Sequence, residues 1–314
     1  MSSVDIQLHA ALARAVAGVP HHELRGRVAA LSHRYRTEQV ADTAPGMRDA
    51  LDALAYAVVR MPATFRALQT ALSTVEHQPT THVDIGGGTG AAAWAVAALW
   101  PSVTTEVVER QPAAVRLGRQ LAAGNFAQDW RWTTADLRDW TSPTTVDLMT
   151  IGYVLNELTE ETRSDLIRSA ARSAKTIVVV EPGTPGGHRR TLGARELLIA
   201  QGFTIAAPCP HQGPCPVDWC HFAARLPRTE LHRALKDGTR NYEDEKFAYV
   251  VATRCPVRPA AARVLTRPIR RKGQVVLDLC TASGTAERVV VPKSSPSYRS
   301  ARGAGWGDEA PMIR

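Results

Sequence analysis

Apolar residues recur three and four positions apart from the start of the chain: Leu8, Leu12 and Val16, then Leu51, Leu54 and Val58. That spacing predicts helices from Ile6 to about Thr74, interrupted at Pro20, Pro45 and Pro62. Gln78-Pro79-Thr80-Thr81 reads as a linker. From His82 the pattern becomes short apolar runs alternating with helical stretches. Strand-like runs are His82–Ile85, Thr104–Val108, Arg131–Thr134, Asp147–Ile151 and Thr176–Val180, and helical ones are Trp94–Leu99, Ala113–Ala123, Arg163–Ala174 and Leu192–Ala200. Strand and helix in that rhythm predict a doubly wound α/β sheet with helices on both faces, completed by strands at Phe203–Ala206 and Phe247–Thr253. After Cys255, three β-branched runs (Arg263–Leu265, Val275–Leu279, Arg288–Val291) predict a small β-rich appendage, and Pro292–Arg314 shows no period. The expected organisation is a helical region over 1–78, a sheet domain over 79–254 with a cysteine loop at 208–222, and an appendage over 255–314.

Charge sharpens this division. The net charge is +8, from 38 Lys+Arg and 30 Asp+Glu in 314 residues. From Arg254 onward there are 12 basic and 4 acidic residues, so the excess lies in the last fifth of the chain. A basic end beside a neutral body suggests a polyanion partner, most often nucleic acid, with Arg270-Arg271-Lys272 at its centre. No stretch approaches the roughly 18 apolar residues of a membrane span. The segment Met1–Pro20 has one basic residue, Arg14, unlike a secretory signal or an arginine-dense transit peptide, so a cytoplasmic protein is expected.

Val83-Asp84-Ile85-Gly86-Gly87-Gly88-Thr89-Gly90 follows a strand and opens a helix. Glycines there let a ligand approach the backbone, and the helix start supplies amide donors. The next strand ends in Glu109, an acid placed to accept from both ribose hydroxyls. Gly86-x-Gly88-x-x-Ala91 also fits a dinucleotide fingerprint. The Asp two residues before the first glycine, and glycines at 86, 88 and 90, resemble the first motif of class I S-adenosylmethionine-dependent methyltransferases. Asp136 after the third strand falls where that family's Asp meets adenine, though it also suits a helix cap. The expected cofactor-binding set is Asp84, Gly86, Gly88, Gly90, Glu109 and Asp136.

The five cysteines are Cys209, Cys215, Cys220, Cys255 and Cys280. Three fall within twelve residues of a Pro-rich segment, which in a reducing compartment points to a metal or a reactive thiol. His211, His221, Cys255 and Cys280 are candidate fourth ligands. On chemistry alone both zinc and an iron-sulfur cluster stay open, because the spacings depart from a zinc knuckle.

These pieces together resemble a family, the methyltransferase-like assembly factors of the mitochondrial small ribosomal subunit and their bacterial relatives. The matching segments are Leu31-Ser32-x-x-Tyr35-Arg36, Tyr56-Ala57-x-x-Arg60-Met61-Pro62-Ala63-Thr64, the glycine loop, Val154-Leu155-Asn156-Glu157-Leu158 and Val180-Glu181-Pro182-Gly183-Thr184-Pro185-Gly186. They continue with Cys209-Pro-His, Trp219-Cys220-His221-Phe222, Asp244-Glu245-Lys246-Phe247-x-Tyr249, Leu277-Asp278-Leu279-Cys280 and Trp306-Gly307-Asp308. The resemblance implies binding to small-subunit ribosomal RNA during assembly, and a four-iron, four-sulfur (4Fe-4S) cluster held by Cys209, Cys215, Cys220 and Cys280, with zinc as the alternative. No catalytic residue follows from it. The place of the Asn/Asp-Pro-Pro-aromatic motif of exocyclic-amine methyltransferases reads Gly152-Tyr153-Val154-Leu155-Asn156-Glu157, without prolines. Asn156, Glu157 and Glu181 border that mouth, and each also fits a capping or turn role. An S-adenosylmethionine-dependent rRNA methyltransferase is expected, with a non-catalytic rRNA-binding factor as the alternative.

Overall fold

The computed structural model describes residues 3–37, 47–125, 130–236, 240–258 and 260–310. The side chains of the Leu31–Arg36 motif and residues 311–314 lie outside the described set. Four helices come first: α1 (Ser3–Ala15), α2 (His21–Thr37), α3 (Ala50–Val59) and α4 (Met61–Leu72). Asp49 caps α3 through Asp52 N, and Pro62 sits in the first turn of α4, where its missing N–H costs nothing. The sheet domain then runs β1 (Thr81–Ile85), α5 (Ala91–Leu99), β2 (Thr104–Glu109), α6 (Pro112–Ala122), β3 (Trp130–Thr134), β4 (Val146–Gly152), α7 (Glu160–Ser173), β5 (Ala174–Pro182), α8 (Pro185–Ala200) and β6 (Thr204–Ala207). It closes with β7 (Phe222–Pro227), α9 (Glu230–Lys236) and β8 (Tyr242–Thr253).

The strand order is β3-β2-β1-β4-β5-β8-β6. The first five are parallel, and β8 runs antiparallel to β5. This is the doubly wound α/β sheet that the periodicity predicts, of the class I methyltransferase type that the motif resemblance implies. Both faces are buried, and β5 shows how. Val178 and Val180 join the core under α3–α6, whereas Ile177 and Val179 join the core under α7 and α8. The helical region is built into the first of these cores, where Leu54, Phe65 and Leu68 pack with Trp94 and Leu117.

Two differences from expectation matter for the site. The helix predicted from Leu192 begins seven residues earlier, because Thr184 caps it through Gly187 N and Pro185 occupies its first turn. A Cβ on Gly187 would lie 1.9 Å from Pro182 O, so only glycine lets the strand turn so sharply into this helix. The strand β7 was not anticipated, since Phe222-Ala-Ala-Arg-Leu-Pro has little β-branched character. Its cross-strand partner creates it: β6 and β7 both lie along the same edge of the twelve-residue β8, with Ala207 paired to Val251 and Phe222 to Phe247. The cysteine loop is the excursion between these two collinear strands.

The appendage is a four-stranded sheet of β9 (Ala262–Val264), β10 (Ile269–Arg271), β11 (Gln274–Thr281) and β12 (Ala286–Pro292), with α10 (Tyr298–Gly303) against it. It has its own core of Val264, Val275, Leu277, Val291 and Ala301. Arg270 and Arg271 of the basic run lie in β10, which turns into β11 through Lys272 and Gly273 (φ +80°). The segment from Pro292, which showed no period, is ordered to Ala310. Helix α10 is too short to show a period, and the Arg263–Glu309 bridge fixes the segment through backbone rather than side-chain pattern.

Candidate functional site

Asp84, Gly86, Gly88, Gly90 and Glu109 converge at the carboxyl ends of β1 and β2. There β1 is flanked by β2 on one side and β4 on the other, so this is the topological switch point of the sheet. The three glycines have φ of +64°, +56° and +89°. A Cβ on Gly86 would meet Val154 Cγ2 at 2.6 Å, and one on Gly90 would meet Trp132 Cη2 at 2.9 Å. At Gly88 the nearest atom is Met47 Cε at 3.8 Å, so this backbone is the open part of the loop. Thr89 Oγ1 donates to Met61 Sδ at 3.2 Å, which ties the loop to α4.

Glu109 holds the loop in shape. Its Oε2 accepts from Gly88 N (3.0 Å) and its Oε1 from Gln111 N (2.7 Å). Burial raises its pKa, and those amides oppose the rise. Asp84 is buried, and its Oδ1 accepts from Thr150 Oγ1 at 2.7 Å. The chain continues across three strands, because Thr150 Oγ1 has already spent its proton on Asp84. It must therefore accept from His82 Nε2 (2.9 Å), and His82 Nδ1 accepts in turn from Thr105 Oγ1 (3.2 Å). His82 is neutral, its pKa pushed down to about 3 by burial. Burial, with Glu109 nearby, lifts Asp84 to about 7, and its Oδ2 has no hydrogen-bond partner. Asp136 stands at the neighbouring strand end, where Ala135 N donates to Glu109 O. Its carboxylate faces Arg138, which donates through its backbone N, Nε and Nη2 and pulls the group down to about 2.

Beyond the glycine loop, β4 is followed by Tyr153, a non-glycine residue at φ +60°. Its hydroxyl donates to Glu245 Oε1 (3.0 Å), which also accepts from Arg60 Nη2 (2.9 Å). Arg60 joins α3 to α4 and Glu245 lies on β8, so two motif segments 185 residues apart meet here. Neither residue has a role legible in the sequence, because nothing local shows that they touch. Glu181 is buried and lifted to about 7 by burial; its Oε1 accepts from Leu155 N (3.0 Å) and its Oε2 pairs with Arg190 Nε (2.6 Å). Both oxygens are thus engaged in shaping the turn. Glu157 is also raised to about 7 by burial, with Glu109 and Glu181 adding to the shift, and Asn156 Oδ1 is buried without a partner.

A second site lies outside β8. Cys209, Cys215, Cys220 and Cys280 line one pocket, partly open to solvent, whose other walls include Phe222, Tyr249, Arg195 and Arg263. The first three thiols come from the loop between β6 and β7. Cys280 comes from β11, so the pocket spans the sheet domain and the appendage. Cys255 is not part of this lining. His211 Nε2 is 3.3 Å from Cys280 Sγ, while His221 is sandwiched by aromatics, stacked on Trp219 and edge-on to Trp306. Burial raises the thiols of Cys209, Cys220 and Cys280, the last to about 12, and the negative forms of the neighbouring thiols raise each further. Among the described residues no three His, Cys, Asp or Glu side chains are arranged to hold a single metal ion. The four thiols line one pocket without forming a preorganised single-ion site among the described residues. Four soft donors with flanking guanidinium groups fit a thiolate-held centre in kind.

The appendage carries the basic surface. Arg258, Arg267 and Arg288 are spent in ion pairs with Glu309, Asp244 and Asp278. Arg270 donates to the carbonyls of Arg302 and Ala304 at the end of α10. Among the described residues Arg271, Lys272, Lys293 and Arg299 have no ion pair. The first three stand together, since Lys293 N donates to Gly273 O in the turn.

Comparison with known proteins gives a consistent set. A family model described as "Mitochondrial small ribosomal subunit Rsm22" matches residues 50–311. The human protein "Ribosome assembly protein METTL17, mitochondrial" is 26% identical over 288 residues, 83% of this chain and 62% of that protein. "Rsm22-cox11 tandem protein 2, mitochondrial" of Schizosaccharomyces pombe is 24% identical over 330 residues, 82% of this chain and 43% of that protein. The chain thus spans less than two thirds of either relative. Among solved structures, an O-methyltransferase family protein from Burkholderia thailandensis superposes with a TM-score of 0.47 at 12% identity, covering 73% of this chain and 72% of that one. The expectation of a cytoplasmic protein is corrected here, because the family and both relatives are mitochondrial by name. A targeting segment is a removable address that leaves no mark on a folded domain, so composition does not report the compartment.

Proposed function

The chain belongs to the Rsm22 family of the mitochondrial small ribosomal subunit, and from that premise we propose that it binds small-subunit ribosomal RNA during assembly and holds S-adenosylmethionine in the glycine-loop cleft. The observation that carries the cofactor is the pairing of the open Gly88 backbone with Glu109 at the switch point of the sheet. In this reading Asp84 braces β1, Gly86, Gly88 and Gly90 admit the amino acid portion, Glu109 accepts from the ribose and Asp136 lies towards the base. Methyl transfer to rRNA is the activity this arrangement supports. Such a transfer needs chiefly alignment of the nucleophile, for which Asn156, with its unpartnered Oδ1, and Glu157 stand nearest. An observation favours the non-catalytic alternative: Glu181 is fully buried and held in place by Leu155 N and the Arg190 ion pair.

Cys209, Cys215, Cys220 and Cys280 hold the second group, a 4Fe-4S cluster, with zinc as the alternative. When bound, such a centre supplies a rigid crosslink of four thiolates. Its ligands come from both the loop beside β8 and the strand β11, so it fastens the basic appendage of 255–314 to the domain of 79–254.

Anaerobic purification with iron, sulfide and zinc analysis tests the centre, and equilibrium dialysis with S-adenosylmethionine labelled in its methyl group tests the cleft. About four irons per chain, lost in Cys280→Ser, and binding that Asp84→Ala weakens at least tenfold are the expected results. Label transferred to small-subunit RNA supports the enzyme, and binding without transfer supports the non-catalytic factor. Absence of both metal and cofactor binding would overturn the proposal.

A further inference from the structure

The thiol pocket contains two buried guanidinium groups, and only one of them has a carboxylate partner among the described residues. Arg195, on α8, is 3% exposed, and Arg263, on β9, is 4% exposed. Arg195 Nη2 donates to the carbonyls of His211 (3.0 Å) and Gly213 (2.7 Å) in the cysteine loop, while its Nε is buried with no hydrogen-bond partner. Among the described residues no carboxylate pairs with it. Arg263 Nε donates to Pro208 O (2.9 Å) and its Nη1 to Gly307 O (3.2 Å), and its carboxylate neighbour is the exposed Glu309 at 3.8 Å. Both side chains line the pocket with the four cysteines.

A buried unpaired charge costs several kcal/mol. If bracing the loop carbonyls were the whole role of Arg195, a neutral amide would brace them without that cost. A positive charge kept dry, with a free donor beside the thiols, is explained by a negative guest. We propose that Arg195 is the fixed countercharge of the thiol centre. Four thiolates around zinc, or around a four-iron core in its oxidised state, carry two negative charges, and Arg195 is the buried cation that faces them without a carboxylate of its own. This inference rests on the proposed thiol centre.

The test uses the full chain, purified without oxygen and with whatever iron or zinc it holds, together with Arg195→Gln and Arg195→Lys. Gln keeps a donor for the loop carbonyls and loses the charge; Lys keeps the charge. Metal release to EDTA is followed by the visible absorption of iron or by a zinc indicator dye. R195Q is expected to release metal about tenfold faster or more, and R195K within a few-fold of the parent. If iron is present, the midpoint potential of R195Q moves negative while that of R195K stays, a shift that a bracing role alone would not produce. Should R195Q fail to fold, Arg263→Gln and Arg263→Lys give the same paired reading from the opposite wall. Equal release and equal potential in parent and R195Q, with metal present, overturn the countercharge alone. A parent chain that holds neither iron nor zinc overturns the thiol centre and the countercharge with it.

Discussion

Replacing Glu245 with Gln isolates the contact that joins the helical region to the last long strand. Glu245 is 7% exposed and accepts from Arg60 Nη2 at 2.9 Å, Arg60 Nη1 at 3.4 Å and the Tyr153 hydroxyl at 3.0 Å. Burial alone would lower the pKa of Arg60, but Glu245 outweighs it and holds the guanidinium firmly charged. Gln fills the same space but removes the charge, and its amide hydrogens confront one of the two donors. Breaking a buried pair costs about 3–5 kcal/mol. The Arg60 side chain is 26% exposed, so water recovers part of this and about 2–3 kcal/mol is expected. Tyr153 adds to the cost, because its left-handed backbone, worth about 1–3 kcal/mol of strain, is fixed by this bond and by its N–H to Val180 O at 2.7 Å. Urea unfolding of the parent, Arg60→Met, Glu245→Gln and the double variant gives the coupling directly. The double variant should be less destabilised than the two singles added together, by about 1.5 kcal/mol or more. Additive effects, or an E245Q chain within about 0.5 kcal/mol of the parent, would refute the reasoning.

The pH response has a definite sign. The carboxyls of Asp84, Glu157 and Glu181 are raised to about 7 by burial, above their unfolded values near 4. The stability contributed by their protonated forms is complete below about pH 4 and is withdrawn as the pH climbs towards 7. Asp84→Asn should make the fall in unfolding free energy between those values shallower, and an unchanged slope would show that Asp84 titrates normally. On the appendage, Arg271→Ser with Lys272→Ser should weaken binding to small-subunit RNA and reduce the slope of log affinity against log salt by about 1–2. Arg270 is left in place because it holds the end of α10. An unchanged slope would remove the hairpin from the interface.

Much of the fold was legible in the chain because two regular periods run through it. Alternating burial on β5 and the three-and-four spacing of α3 produce their own elements wherever the partners lie. The glycine loop was equally local, since its positive φ angles follow from glycine and its place between strand and helix follows from the runs on either side. Elements made by their neighbours were not legible. Strand β7 exists because β8 offers an edge, and α10 because Arg270 and β11 hold it. Roles that depend on pairing were hidden too: Asp136 is claimed by Arg138, Glu181 by Arg190, and Arg60 by Glu245. The sequence determined by itself which residues could bind and in which local conformations, because backbone preference and periodicity act over a few residues. Only the tertiary structure decided which charges are buried together. That is why the three clustered cysteines could be named from the chain and Cys280 only through the family resemblance, whereas the two arginines beside them emerged only when α8, the loop and β9 were brought face to face.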